Sequence, residues 1–272
     1  MSEVDREATR VAEGGITSEV RDDILLMGVD RPEKYNGFTP AMYDALVDEY
    51  TRLDEDPQLR VGVLFGHGKH FTAGLDLPQW QGRMQRGKAA PGSRNTKRVD
   101  PVALGRRCRK PIITAVHGIS FTIGIELMLA GDIVVAADDC RFCQLEPKRG
   151  IMATGGATMR FVERGGWGNA MYHLLINDEF SAEEALRCGL VQEVVPAGTQ
   201  LDRALELARK ISELAPLAIQ ATKASSLLYA EQGEEACASE LSRVQAGLSK
   251  TEDAKEGVAS FKEKRAPVFK GR

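Results

Sequence analysis

Residues 111–138 read PIITAVHGISFTIGIELMLAGDIVVAAD, a pattern that indicates two strands joined by a turn and a short helix. The apolar runs at 111–116 and 132–138 are continuous rather than alternating, which is typical of strands covered on both faces. Glu126 is the one carboxylate in the apolar helical part between them. It is either a residue on a helix surface or a group that borders a cavity where a charge is needed.

Three further runs predict strands in the same way: ILLMGV at 24–29, VGVLF at 61–65 and VQEVV at 191–195. A helix is predicted between the first two of these runs. Thr39 can cap its first turn and Pro40 occupies the first helical position, where the missing N–H costs nothing. Strands that alternate with helices predict an α/β fold.

The C-terminal part has a different character. From Leu201 onward apolar residues recur at helical spacing, and no strand signal follows. We therefore expect an α/β core over residues 1–197 and a helical region over residues 198–272. The helical region is too thin for a core of its own, so we expect it to pack on the first part or on another subunit.

Composition excludes several classes of protein. The chain has 272 residues, and 36 basic against 39 acidic residues give a formal net charge of −3, which argues against a nucleic-acid binder. No run reaches the roughly 18 apolar residues of a membrane helix, so no membrane association is expected. The first fifteen residues contain no apolar leader, and an odd number of cysteines argues against a disulfide framework, so we expect a cytoplasmic protein.

Metal binding is not expected from the cysteines and histidines. Cys140 and Cys143 form a single C-x-x-C pair, and the four histidines are scattered along the chain. A structural zinc site needs a second pair of ligands at a similar spacing.

Residues 79–100 have weak periodicity and a cluster of bases. They predict either a solvated surface loop or a lid that meets a polyanionic ligand. The bases are Arg83, Arg86, Lys88, Arg94, Lys97 and Arg98.

Two turns that contain glycine follow apolar strands, at 66–77 (GHGKHFTAGLDL) and at 117–124 (HGISFTIG). A strand that ends in such a turn and leads into a helix directs free backbone N–H groups into the space beyond the strand. Two N–H groups aimed at one point would stabilise an oxyanion, an effect of ~3–4 kcal/mol per donor. Either glycine could instead serve only as a turn residue.

These segments together resemble the crotonase family, the enoyl-CoA hydratase/isomerase superfamily. GHGKHFTAGLDL is similar to the family's G-x-G-x-x-F-x-A-G-x-D-L loop, and residues 115–138 resemble its A-V-x-G-x-x-x-G-G-G-x-E-L stretch. DRPEKYNGFTPAMYDAL at 30–46 and FCQLEPKRGI at 142–151 also resemble family segments. Order and spacing agree over about residues 20–270.

The resemblance implies a spiral of ββα units followed by a C-terminal helical trimerisation region. It also implies trimers, often paired into hexamers, and acyl-CoA thioester substrates, with CoA as part of the substrate and no separate cofactor. Leu75 and Ile123 would donate the two backbone N–H groups of an oxyanion hole, and Glu126 and Glu146 would align with the two catalytic glutamates. The residues that would lie along the substrate and its CoA arm are Lys34, Tyr35, Ala73, Gly74, Asp76 and Gly124.

The expected function is therefore an enoyl-CoA hydratase that adds water to a 2-enoyl-CoA. A pair of carboxyls that shares one water pushes its pKa values apart, which suits one group to activate the water and the other to protonate carbon. The alternatives are an enoyl-CoA isomerase, an acyl-CoA hydrolase or lyase of the same fold, or an acyl-CoA-binding oligomer without turnover.

Departures from the family pattern leave the acyl group open. Ile123 stands where the family usually has glycine, which keeps the backbone donor but narrows the pocket. Leu145 replaces the usual proline before Glu146, and Pro147 follows it. Glu146 could instead lie in a polar loop and pair with Lys148 or Arg149.

Overall fold

A computed structural model describes residues 14–85 and 97–272 of the chain. Nine strands are found in the described part. They are β1 (Gly15–Arg21), β2 (Ile24–Asp30), β3 (Val61–Gly66), β4 (Ile112–Val116), β5 (Ile119–Phe121), β6 (Ile133–Ala137), β7 (Arg141–Cys143), β8 (Phe180–Ser181) and β9 (Glu193–Val195).

The strands form two sheets. The larger sheet has the order β1-β2-β3-β4-β6-β9, with β1 antiparallel to β2 and all other neighbours parallel. The smaller sheet has the order β5-β7-β8. Because parallel neighbours need a crossover connection, each step from β2 to β9 along the larger sheet carries a segment over its face, and these segments include the residues of the candidate active site.

Eight α-helices accompany the sheets in the described residues. They are α1 (Pro40–Glu55), α2 (Leu77–Gln85), α3 (Ile123–Ala130), α4 (Ala157–Ile176), α5 (Ala182–Arg187), α6 (Gln200–Ser212), α7 (Pro216–Leu248) and α8 (Glu252–Glu263). Two of them are interrupted, α4 at Gly166 and α7 at Gly233. Two short 3-10 helices lie at Pro32–Lys34 and Glu146–Arg149.

The larger sheet is covered on both faces, as its continuous apolar runs predict. Along β2, Leu25 and Met27 point into one core, which also contains α1 and α3. Ile24 and Leu26 point into a second core, which is closed by α6. Side chains alternate between the faces of a strand, so a strand buried on both faces must be apolar at every position.

Helix α1 begins where the sequence predicts. The Thr39 hydroxyl accepts a hydrogen bond from the Met42 N–H at 3.1 Å, and Pro40 is the first helical residue. Strand β1 is not predicted, because its sequence GITSEVR is largely polar and it lies at the exposed edge of the sheet.

The segment expected as a loop at 79–100 is in part helical. Helix α2 anchors it through Trp80, which is buried and donates its indole N–H to Phe38 O at 2.8 Å. Arg83 lies 3.2 Å from Asp44. Arg86, Lys88 and Arg94 lie outside the described residues, so the choice between surface loop and lid stays a prediction.

The first helix of the helical region packs on the core, and the next helix does not. Helix α6 packs three residues on the sheet, Ala204, Leu205 and Ala208. Helix α7, with 33 residues, buries none of them in this chain. The division at residue 197 stays a prediction, and α6 shows that the helical region begins with an element of the second core.

No helix in the described ranges is both long enough and apolar enough to cross a membrane. All five cysteines are free, and four of them are buried.

The second core predicts the contribution of α6 to stability. Leu205→Ala removes a side chain that is 2% exposed, and the cavity it leaves should lower the free energy of unfolding by about 2–5 kcal/mol. Leu214→Ala makes the same chemical change at a side chain that is 48% exposed and should cost about 0.5 kcal/mol or less. Urea unfolding at one fixed protein concentration measures both values. Equal losses for the two variants would contradict the packing described for α6.

Candidate active site

Glu126 lies on the first turn of α3 and is 5% exposed. Its Oε1 accepts hydrogen bonds from the backbone N–H of Gly155 at 2.6 Å and of Ala157 at 3.3 Å. Burial raises the pKa of Glu126, while these two N–H groups and the nearby Arg160 act in the opposite direction. The carboxylate is therefore held in place by backbone donors from a distant segment.

The segment that holds Glu126 is the turn into α4. Gly156 caps the helix and Ala157 is its first residue, so the donors of Gly155 and Ala157 lie at the positive end of a helix dipole. A Cβ added at Gly155 would collide with the Glu126 carboxylate and would lie 2.6 Å from its Cδ. Glycine at position 155 leaves the space that the Glu126 carboxylate occupies, and a side chain there would displace it.

Arg160 holds the same turn through hydrogen bonds to backbone carbonyls. Its side chain is buried and donates to Gly155 O at 3.0 Å and to Val102 O at 2.7 Å. Gly155, Ala157 and Arg160 are not predicted from the sequence. The signal available for them was the TGGA segment (154–157), whose paired glycines precede a helix start.

Glu146 opens the 3-10 helix Glu146–Arg149. Its Oε2 is buried and has no hydrogen-bond partner among the described residues. Burial, reinforced by the negative charge of Glu126 and partly offset by its own N–H, raises the pKa of Glu146 to about 7. The alternative pairing of Glu146 with a neighbouring base is not observed, because Lys148 instead lies 3.7 Å from Asp178.

Leu75 lies in a short parallel bridge with Phe38. Phe38 N–H donates to Gly74 O at 2.8 Å, and Asp76 N–H donates to Phe38 O at 2.9 Å. The N–H of Leu75 points away from this bridge and donates to no acceptor within the described ranges.

Ile123 presents its N–H group from the start of α3. Thr122 precedes it with φ 48° and ψ −112°, and a positive φ is uncommon for a β-branched residue. This conformation turns the chain sharply into the helix. The N–H of Ile123 has no acceptor in the part of the chain that the structure describes, as expected for a first helical residue.

Contacts between the two turns bring these donors to one place. Thr72 N–H donates to Ile119 O at 3.0 Å, and Phe121 N–H donates to Thr72 O at 3.0 Å. Gly74 has φ +115°, and a Cβ there would collide with the Thr122 hydroxyl. The absence of a side chain at Gly74 therefore allows the turns to touch.

Both carboxyls and both donor residues line one cavity of about 220 Å³. Most of its remaining wall is apolar. The lining residues are Ala73, Leu75, Leu77, Met84, Thr122, Ile123, Glu126, Leu145, Glu146, Arg149, Ile151, Met152 and Thr154.

Of the other candidate residues, Ala73 lines the cavity, whereas Lys34, Tyr35, Gly74, Asp76 and Gly124 are not part of its wall. Tyr35 is 56% exposed and stacks on His70 with ring centroids 5.2 Å apart, next to Lys34. Asp76 pairs with Arg31 at 2.8 Å. Gly124 is buried, and a Cβ there would lie 2.7 Å from Thr72 Cγ2.

A group of possible metal ligands lies away from the cavity. His173, Glu184 and Cys188 place ligand atoms within 4.8 Å of one another. Arg187 donates to Glu184 at 2.6 Å and, as the largest cause, lowers the pKa of Glu184 to about 2. The guanidinium already neutralises this carboxylate.

Comparisons with known proteins agree with the fold. Residues 19–272 match the sequence model of the enoyl-CoA hydratase/isomerase family. The chain is 34% identical to the enoyl-CoA hydratase EchA19 of Mycobacterium tuberculosis, over 93% of this chain and 96% of the relative. It is 33% identical to the 2,3-dehydroadipyl-CoA hydratase of Escherichia coli, over 92% of this chain and 96% of the relative.

A solved structure shows the same similarity. It is the crystal structure of a probable enoyl-CoA hydratase/isomerase from Mycobacterium abscessus, with a TM-score of 0.90, 40% identity and coverage of 94% of this chain and 98% of that chain. The chain therefore belongs to the enoyl-CoA hydratase/isomerase family of the crotonase superfamily. The family and the fold class predicted from the sequence are confirmed.

The cavity predicts a coupled titration of its two carboxyls. Glu146 should titrate near pH 7, and Glu126→Gln should lower the pKa of Glu146 because it removes a nearby negative charge. Carbon-13 NMR of carboxyl-labelled glutamates measures this shift. Glu163→Gln, at an exposed position outside the cavity, is the control and should leave the titration of Glu146 in place. A Glu146 that titrates near pH 4 to 5 in the wild-type protein would contradict the described burial.

Proposed function

We propose that the protein hydrates a 2-enoyl-CoA thioester. The observation that carries the proposal is the meeting of two carboxyls, Glu126 and Glu146, with the two unpaired N–H donors of Leu75 and Ile123 at one cavity. Relatives of the chain with printed hydratase names support the same reaction class. The proposed reaction uses no cofactor apart from the CoA of the substrate itself.

The two N–H donors would bind the thioester oxygen. Addition of water at the β-carbon of the enoyl group places negative charge on this oxygen. Donors already oriented by Thr122 and by the bridge of Leu75 to Phe38 stabilise that charge without reorganisation, an effect of ~3–4 kcal/mol per donor.

The two glutamates would divide the proton transfers between them. Glu126 accepts two backbone hydrogen bonds that favour its anion, so it suits the base that takes a proton from water. Glu146 has no such external donors and a pKa raised to about 7, so at neutral pH it retains a proton that it can deliver to the α-carbon.

The proposed cycle accounts for every proton and for the one water that is added. The water oxygen bonds to the β-carbon, and its proton goes to Glu126. The enolate of the thioester then takes the proton of Glu146 at the α-carbon. Transfer of one proton from Glu126 back to Glu146 through the cavity restores the starting state, and the net change is addition of one water.

The remaining candidate residues fit the CoA arm of the substrate. Lys34 and the exposed face of Tyr35 lie beside the cavity, and the turn of Ala73 and Gly74 leads to Leu75. A lysine and an aromatic surface suit the phosphates and the base of a nucleotide, respectively. Asp76 would act by holding Arg31 rather than by touching the substrate.

Assembly into trimers or hexamers belongs to the proposal as well. Helix α7 buries none of its residues in the single chain, and apolar side chains of the helical region, among them Tyr229, Leu241 and Phe261, are exposed. Association would cover this surface. Light scattering should give three or six times the chain mass of 29.7 kDa, and a monomer mass would contradict this part of the proposal.

Replacement of the glutamates tests the reaction. Glu126→Gln and Glu146→Gln should each lower kcat by about 10²–10⁴, because each removes a proton transfer at nearly constant volume. The double variant should show no measurable hydration and still bind the CoA ester. The assay follows the loss of enoyl-thioester absorbance, with Glu163→Gln as control. Wild-type turnover in the double variant, or a wild-type protein that binds 2-enoyl-CoA esters without hydrating them, would contradict the proposal.

The pH dependence of kcat follows from the role of Glu146. The carboxyl must be protonated to act as the acid, so the rate should fall as pH rises through about 7, approaching a tenfold loss per pH unit above pH 8. Glu126 must be ionised, so the rate should also fall on the acid side. A kcat that is constant from pH 6 to pH 9, with chemistry rate-limiting, would exclude Glu146 as the acid.

A further inference from the structure

Arg149 is the one basic residue among the described residues that line the active-site cavity. The wall around it is mainly apolar, with Met84, Ile151 and Met152 among its members. An apolar wall accommodates a hydrocarbon chain. A hydrocarbon chain makes no use of a guanidinium. The hydration chemistry proposed above does not use Arg149.

The geometry of its turn directs Arg149 toward the site. Glu146 and Arg149 are the first and fourth residues of one 3-10 helix, and side chains three residues apart eclipse one another in a 3-10 helix. Arg149 therefore lies on the side of the turn that carries Glu146. Lys148, one position earlier, points elsewhere and lies 3.7 Å from Asp178.

The charge of Arg149 is not matched within the described residues. No carboxylate and no hydrogen-bond acceptor of residues 14–85 or 97–272 pairs with its guanidinium. Other arginines near the site are engaged: Arg31 pairs with Asp76, and Arg160 with backbone carbonyls. Arg149 is exposed, so a ligand can reach it.

We propose that the acyl group of the substrate ends in a carboxylate that Arg149 binds, so that the substrate class is a dicarboxylic enoyl-CoA. The inference rests on the proposed function for the thioester end of the same cavity. A guanidinium binds a carboxylate through two parallel hydrogen bonds, and the apolar wall would hold the carbon chain between the thioester and the charged end. Exposure of Arg149 limits the gain to a modest factor, because solvent and salt screen the pair.

Equilibrium binding of saturated esters tests this inference without requiring turnover. The probes are the four-, six- and eight-carbon dicarboxylic acyl-CoAs, each paired with its ω-methyl ester, and titration calorimetry gives the Kd of each. For the best-fitting length, wild-type protein should bind the free acid about three- to fivefold more tightly than the methyl ester. The ratio should shrink at high salt.

Variants at neighbouring positions identify the group responsible. Arg149→Met should bring the ratio of the two affinities close to one, and Arg149→Lys should retain part of it. Lys148→Met removes a charge one residue away and should keep the wild-type ratio. A wild-type ratio near one at every length, or an unchanged ratio in Arg149→Met, would overturn the inference.

Two further outcomes distinguish failure of the carboxylate site from failure of the proposed reaction. If Arg149→Met weakens the free acid and the methyl ester equally, the guanidinium binds the shared CoA part and the inference falls. If the ratio behaves as expected but no enoyl ester is hydrated, the carboxylate site stands and the proposed reaction falls.

Discussion

Burial of one carboxylate, Glu126, sets the requirements for the surrounding structure. A charge on an apolar helix, 5% exposed, is costly unless donors satisfy it. The turn into α4 supplies two N–H groups at the positive end of that helix, and Gly155 gives the carboxylate room to approach them. Arg160 then ties the turn to Val102, so the position of one side chain links α3, α4 and a distant loop.

A second close approach without a side chain brings together the two backbone turns that contain Gly74 and Thr122. Gly74, with no side chain, meets the Thr122 hydroxyl, and Thr122 adopts a positive φ that starts α3 abruptly. Strain of this kind costs on the order of 1–3 kcal/mol and persists only where the surrounding contacts fix it. Here those contacts are the hydrogen bonds of Thr72 to the neighbouring strand, and the N–H groups of Leu75 and Ile123 are left without an acceptor among the described residues.

The parts of this arrangement that the sequence predicts are those with a local signal. Continuous apolar runs predict the buried parallel strands, and a lone glutamate in an apolar helix marks Glu126 for attention. Strand β1 gives no such signal, because a polar edge strand is fixed by pairing with β2 rather than by burial. The partner of Glu126 lies 29 residues away, at Gly155, and its approach depends on how α4 packs on α3. The direction of Arg149 likewise requires the 3-10 geometry of its turn, which the sequence around Pro147 does not specify.

The proposed hydration depends on the Glu126 carboxylate, which the Gly155 turn holds in the cavity. The most direct test is the hydration rate of Gly155→Ala on a 2-enoyl-CoA that the wild type converts, beside Gly168→Ala, where a Cβ meets nothing within 4 Å. One added methyl at position 155 should displace the carboxylate and lower the rate at least about 100-fold, in a protein with wild-type circular dichroism and wild-type assembly. Gly168→Ala should retain the wild-type rate. A folded Gly155→Ala protein with wild-type turnover would show that the position of Glu126 does not govern the reaction.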